Sequence, residues 1–481
     1  MFDPDRWGLP DEAVVRLGDD LYQFWARYQP CFRTRTRDTS EQAYVFMRGQ
    51  LTMDDARNYA NIDRRLRGRD GQGLPQFVTD SPWAGARVFC QIQADIRAEP
   101  LLQHGGLLIL DECADDKAGV QSAGAGRQHN GRLGKVDLCQ VATCLVYAHP
   151  QHAVWALGDS ELFIPAAWFD KAHAPLRHEV GLPEDRVFAT KPALGLKMIQ
   201  RVQAQGLPFE RVACDDLYGR NRAFRAALAH AGIRYAAEVP ATTLVFLKRP
   251  VVGVPRQRRR PGRKFSRVKV RSRHRPHTVG ERARRQATGW HRTQIRTTER
   301  GRLEADFALT QVWTLTPTKQ VREEAVVIRR DRDGRLTFVL LNDPADTPRD
   351  VLIQASCQRY FTERAFQDAQ SELGWDDFQA RKYRAWEHEV ALTAATLWFI
   401  AHVKLKWAQT HARDPKLTRQ LAVEVLPALS AANVRELMHA VLPIPQWTRQ
   451  QARHLVAAHL VKRARSTASR LRSQYDHHDS S

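Results

Sequence analysis

The sequence predicts an α/β fold interrupted by a β-rich insertion, with helical regions at both ends. Three patterns point to it. Buried-strand runs alternate with helical periodicity between residues 107 and 239, strand-type alternation fills residues 311 to 342, and apolar spacing of three and four residues dominates the N-terminal and C-terminal parts.

From Val14 to about Pro100, apolar positions such as Leu21, Phe24, Trp25 and Tyr28, and later Ala84, Val88, Phe89 and Ile92, share helical spacing. Leu107 to Leu110 is a continuous apolar run that stops at Asp111 and Glu112, the pattern of a buried strand whose last residue faces a cleft. Gly119, Gly124, Gly126, Gly131 and Gly134 follow, and the preferences of glycine assign them to the turns of a hairpin. A phosphate-binding P-loop is excluded here, because Gly134-Lys135 is followed by Val136 and the position of the motif's first glycine is His129. Val136 to Tyr147 and Ala153 to Ile164 read as strands, and Pro192 to Gln205 as a helix with proline in its first turn. Arg211 to Cys214 is a short strand ending at Asp215 and Asp216, Arg222 to Ala231 a helix, and Tyr235 to Val239 a strand.

Between Lys248 and Arg275 stand thirteen Lys or Arg and no Asp or Glu, a segment that cannot collapse alone. It is either a solvated linker or an arm tracking phosphates, with Arg258, Arg259, Arg260, Arg263 and Lys264 as its densest part. Gln311 to Leu315, Ala325 to Arg330 and Thr337 to Asn342 then alternate as strands, the last two joined by an Asp333-Gly334 hairpin signal. Ser356 to Leu373 returns to helical spacing and ends at Gly374, followed by an apolar helix around Leu397 to Val403 and basic helical stretches at Leu417 to Leu426 and Thr448 to Leu471.

A net charge of +21 over 481 residues, with a pI near 10.1, points to a polyanionic partner. The charge-free apolar run Ala391 to Val403 is shorter than the roughly 20 residues a membrane-spanning helix needs. The opening Met1-Phe2-Asp3-Pro4-Asp5-Arg6 lacks the features of a secretory signal, so a cytoplasmic location and no membrane partner are expected. Seven scattered cysteines without a Cys-x-x-Cys pair make neither a disulfide framework nor a zinc site.

Asp111, Asp215 and Glu363 stand out as candidate catalytic and metal-binding carboxylates. Parallel strands bring their ends to one edge of a sheet. Carboxylates gathered there would repel unless a cation neutralised them, and oxygen-only ligands suit Mg²⁺ or Mn²⁺. Taken singly, each could equally cap a helix, form a turn or pair with a base. Glu112 and Asp216 compete for the same roles, and strand alternation lets only one of each pair face the site.

The motifs carrying these acids resemble those of the DDE transposases of bacterial insertion sequences. Asp111-Glu112-Cys113, Lys117-Ala118-Gly119, Arg127-Gln128 and Leu133-Gly134-Lys135-Val136-Asp137 follow the family's first block, and Asp215-Asp216-Leu217-Tyr218-Gly219 its second. In the third, Arg359 and Glu363 match, whereas Ser356 and Gln370 stand where the family has Tyr and Lys. The resemblance implies a ribonuclease H-like core at 101–247 and 351–410, interrupted by the basic arm and β insertion at 248–350. A helical DNA-binding domain at 1–100 and a helical basic region at 411–481 would flank it. It also implies that Asp111, Asp215 and Glu363 hold two divalent ions, Mg²⁺ or Mn²⁺, to cut transposon ends and transfer strands into target DNA. Double-stranded DNA, as terminal inverted repeats and target, is the expected partner, with a homodimer in the synaptic complex. Arg359, Gln370, Lys117, Arg127 and Lys135 are the candidate DNA contacts besides the arm. A catalytically impaired DNA-binding descendant is the alternative function.

Overall fold

In the computed structural model the described residues are 3–255, 265–285, 289–298, 301–377, 380–423, 425–446, 448–454 and scattered positions from 456 to 468. Six helices open the chain: α1 (Asp11–Val15), α2 (Leu17–Phe32), α3 (Ser40–Thr52), α4 (Tyr59–Arg67), α5 (Gly73–Asp80) and α6 (Gly85–Ala98). Leu17, Leu21, Phe24, Tyr28, Phe46, Ile62, Val88 and Ile92 are buried along them, as the apolar spacing required.

The core begins with β1 (Leu107–Asp116), β2 (Gly126–Asn130), β3 (Lys135–His149) and β4 (Val154–Phe163). After α7 (Ala174–Glu179) come α8 (Lys191–Ala204), β5 (Arg211–Cys214), α9 (Asp216–Gly219), α10 (Arg222–His230) and β6 (Arg234–Glu238). β1 does not stop at Asp111. The long β3 supplies antiparallel partners as far as Asp116 beside Cys139, and burial of Cys113 and Ala114 keeps the strand in the sheet. Thr190 caps α8 through Ala193 N–H, with Pro192 in its first turn.

The next segment holds two small ribbons, β7 (Leu244–Val245) with β10 (His277–Thr278) and β8 (Val252–Gly253) with β9 (Lys269–Val270). They are followed by α11 (Val279–Arg284), β11 (His291–Thr298), β12 (Gly301–Leu315), β13 (Val321–Arg330) and β14 (Leu336–Leu341). Its long strands do not stand apart from the α/β pieces. β14 pairs antiparallel with β6, giving one ten-stranded sheet in the order β11, β12, β13, β14, β6, β5, β1, β3, β2, with β4 also on β3. Without this pairing the outer edge of β6 would be open, and Phe338 to Leu341 of β14 are all buried within the sheet. Arg211 and Asp343, both buried, lock the return from β14 to β5 through two hydrogen bonds of 3.0 and 2.8 Å.

The predicted helix from Ser356 to Leu373 is two helices, α12 (Arg349–Ser356) and α13 (Tyr360–Gln367), the second running into a π-turn over Asp368–Glu372. The Ser356 hydroxyl donates to the Ile353 carbonyl at 2.7 Å, a local bond that competes with the helical ladder where the break occurs. The 28-residue α14 (Tyr383–Thr410) is buried almost throughout and packs on α3, α5, α6 and β4. Among the described residues of the stretch expected to be helical from Leu417 to Leu426, only α15 (Leu417–Gln420) forms, and Ala422 beyond it takes a positive φ of 51°. α16 (Ala431–Val441), capped by Ser430, is an element the sequence patterns did not predict, and the predicted helix from Thr448 lies partly outside the described residues. No helix among the described residues is long and apolar enough to cross a membrane.

Glu389 lies in the α14 core at 2% exposure. Its Oε1 accepts from Thr393 at 3.2 Å, and Oε2 meets no hydrogen-bonding group among the described residues. Burial pushes this carboxyl from 4.5 up to about 8. Between those values the folded chain holds a proton that the unfolded chain has lost, so stability falls as pH rises through the window, by up to a few kcal/mol in all. Glu389→Gln, which mimics the neutral acid, is expected to raise the unfolding temperature at pH 8 by a few degrees and to change little at pH 4. Thermal unfolding across that range with parallel curves for both proteins would refute the assignment.

Candidate active site

β1, β5 and β6 are parallel neighbours in matched register: Leu110 lies beside Cys214, and Cys214 beside Ala237. The next residue of each is an acid, Asp111, Asp215 and Glu238. Three carboxyl-bearing residues therefore stand side by side at the carboxyl edge of the parallel strands, where α/β sheets place their ligands.

Alternation sends neighbours to opposite faces. Asp111 turns toward α13, where its Oδ2 accepts from Arg359 Nη1 at 2.7 Å. Glu112 turns toward α8, accepting from Lys191 Nζ at 2.9 Å and from the Tyr218 hydroxyl at 3.3 Å. Asp215 caps α9, its Oδ1 taking the N–H groups of Leu217 at 3.0 Å and Tyr218 at 3.4 Å. In Asp215-x-x-Tyr218-Gly219, then, the acid caps and the tyrosine reaches back to Glu112. The glycine lets α9 pass against β6, since a Cβ at Gly219 would stand 1.8 Å from the Glu238 carbonyl oxygen.

Arg359 precedes α13 and joins three acids: Asp111, Glu238 through Nε at 3.3 Å, and Glu363 through Nη2 at 3.4 Å. Glu363 itself is 66% exposed, one turn along α13. Burial pushes the Asp215 carboxyl up to about 7, and the charges of Asp111 and then Glu112 add to the rise against the Tyr218 N–H and Arg359. Arg359 loses charge stabilisation to burial, but Asp111, Glu238 and Glu363 outweigh this and hold it above the ordinary arginine range.

Glu363 is flanked by alternating basic and aromatic side chains. The Arg296 guanidinium of β11 lies 3.6 Å from the centre of the Tyr360 ring, Tyr360 contacts Phe361, and Trp155 sits beneath Arg364 at 5.8 Å and Lys404 at 4.2 Å. Other predicted contacts fall elsewhere. Gln370 is half-buried in the π-turn with its amide on Cys113 Sγ at 3.3 Å. The Lys117 side chain is buried against Asp115. Arg127 and Lys135 are exposed on the β2–β3 hairpin, Lys135 with Asp137 at 2.9 Å. Arg258, Arg259, Arg260, Arg263 and Lys264 lie outside the described residues.

The family model for DDE superfamily endonucleases matches residues 27–302, more than half of the chain. The chain belongs to that family. In this DDE superfamily endonuclease the matched span contains Asp111, Asp215 and Glu238 and ends before Glu363. The chain is also similar to the probable transposase for insertion sequence element IS701 of Microchaete diplosiphon, 24% identical over 387 residues, covering 78% of this chain and 84% of that protein.

Sequence reading missed Glu238. It stands within a run whose alternation does predict a strand, but only the register of three strands from separate parts of the chain reveals that it shares a level with Asp111 and Asp215. Among the described residues no three His, Cys, Asp or Glu side chains converge closely enough to hold an ion, and Arg359 bridges Asp111 and Glu363. The donor chemistry nevertheless fits a hard divalent cation. The set is all carboxylate oxygen, and the raised Asp215 acid marks an excess of negative charge that a dication would relieve.

Proposed function

We propose that the chain is an insertion-sequence transposase that cuts phosphodiester bonds at transposon ends and joins the freed 3′ ends to target DNA. Asp111, Asp215 and Glu363 would hold its two divalent ions, Mg²⁺ or Mn²⁺. The supporting observation is that Asp111 and Asp215 stand at one level, each one residue past the last parallel pair of β1 and β5, with Arg359 tying Asp111 to Glu363. The similarity to a probable transposase across most of both chains agrees with it.

When bound, the ions lower the pKa of an attacking water or 3′-hydroxyl and offset charge on the leaving oxygen. The protein's part is orientation. The α9 N–H groups fix Asp215 Oδ1, and β3 and β5 fix the β1 strand that carries Asp111. Arg296 and Arg364, beside Tyr360 and Trp155, would offer phosphate contacts to a DNA strand passing Glu363. A homodimer is the proposed working form, since two ends must be brought together.

Incubation of the wild-type protein with DNA carrying the element's own ends and Mg²⁺ or Mn²⁺ is expected to give cuts at those ends and none on scrambled ends. Binding without cutting in either metal would leave a DNA-binding descendant as the better function, and cutting that ignores the ends would indicate a general nuclease.

A further inference from the structure

Arg359 is the one cation in direct contact with both Asp111 and Glu238 among the described residues, and it reaches them across the end of β5, where Asp215 stands. The two contacts differ. The bond to Asp111 is short, 2.7 Å, and made by a terminal nitrogen, whereas Glu238 takes Nε, the nitrogen nearest the aliphatic stem, at 3.3 Å. Glu238 is itself fixed from behind, because the α9 backbone at Gly219 packs on its carbonyl and Val339 of β14 pairs with it. Its backbone is therefore anchored, and its carboxylate, 24% exposed, is a second partner for Arg359.

We propose that Glu238 is a positioning residue for Arg359, and that the two form a latch on the metal site. Without a divalent ion, Arg359 neutralises Asp111. When ions claim Asp111 and Glu363, Arg359 gives up both bonds and stays on Glu238, close to where a DNA phosphate would arrive. An arginine without Glu238 has no anchored alternative and remains on Asp111. The inference rests on the metal reading of Asp111 and adds the competitor for that carboxylate and the residue that draws the competitor off.

The test is Mn²⁺ binding in the absence of DNA, followed by the paramagnetic resonance of free Mn²⁺, for wild type, Arg359→Ala, Glu238→Gln and the double variant. Arg359→Ala is expected to tighten binding about tenfold by removing the competing cation. Glu238→Gln is expected to weaken binding about three- to tenfold in the wild-type background and to have no effect in the Arg359→Ala background. Equal weakening in both backgrounds would overturn the latch and make Glu238 a ligand of the ion. No change from Glu238→Gln in either would leave it a purely structural group and equally overturn the proposal. If neither wild type nor Arg359→Ala binds Mn²⁺, the metal reading itself falls and the latch with it. Should Arg359→Ala not fold, Arg359→Gln, which keeps the stem and a hydrogen-bond donor, serves in its place.

Discussion

Asp215→Asn is expected to lower metal-dependent strand cleavage by at least about a thousandfold while the protein folds and binds end DNA as before. The substitution separates two duties of one side chain. Asn keeps an oxygen where Asp215 Oδ1 accepts from Leu217 and Tyr218, so the α9 cap survives. It removes the charge that burial and the neighbouring Asp111 and Glu112 make costly to carry. The folded acid is raised from 3.8 to about 7, so stability falls as pH rises between those values. The variant should therefore unfold at the same temperature as wild type at acid pH and somewhat higher at pH 8. Asp111→Asn and Glu363→Gln should lose cleavage similarly, the latter at no cost in stability because Glu363 is exposed. Gel-shift binding, thermal unfolding and cleavage on the same preparations decide the matter. Wild-type cleavage by any of the three, or misfolding of all three, removes the carboxylate assignment.

Two of the acids were legible because their local surroundings announced them. Asp111 follows Leu107 to Leu110, and Asp215 follows Arg211 to Cys214, each an apolar run that only a buried strand explains. Glu238 ends an equally clear strand but carries no local mark, since its place beside Asp111 and Asp215 comes from lying level with residues 127 and 23 positions earlier in the chain. The joining of β14 to β6 was hidden for the same reason. Alternation in Leu336 to Leu341 identifies a strand, but not that its partner is β6. The third signature misled through continuity. Helical spacing runs on through Ser356 and Arg359, yet the Ser356 hydroxyl is spent on the Ile353 carbonyl, so Ser356 and Glu363 sit on different helices. Gln370, one pattern position from the site, turns inward because the π-turn shifts the helical register by a residue.

Gly219→Ala is expected to cost more than about 3 kcal/mol and to abolish the site along with much of the soluble yield. The reason is close approach rather than backbone freedom, since Gly219 has no positive φ. An added Cβ would meet the Glu238 carbonyl oxygen at 1.8 Å, its carbon at 2.9 Å and the Ala237 carbonyl carbon at 3.3 Å, all of them backbone atoms. β6 cannot retreat, being paired to β5 on one side and β14 on the other. α9 cannot retreat either. Its first turn is tied to Asp215 through Gly219 N–H at 2.8 Å, and the buried Arg225 guanidinium donates to the Gly219 carbonyl. Relief would have to come from moving Asp215 or Glu238, the two acids on either side of the contact. Gly134→Ala provides the contrast: its φ is +63° and nothing lies within 4 Å of a new Cβ, so it should cost only about 1 kcal/mol, from backbone strain. Urea unfolding of the two variants separates the causes. Similar costs would mean that conformational preference, and not the passage of α9 over β6, explains the glycine that ends the Asp215 motif.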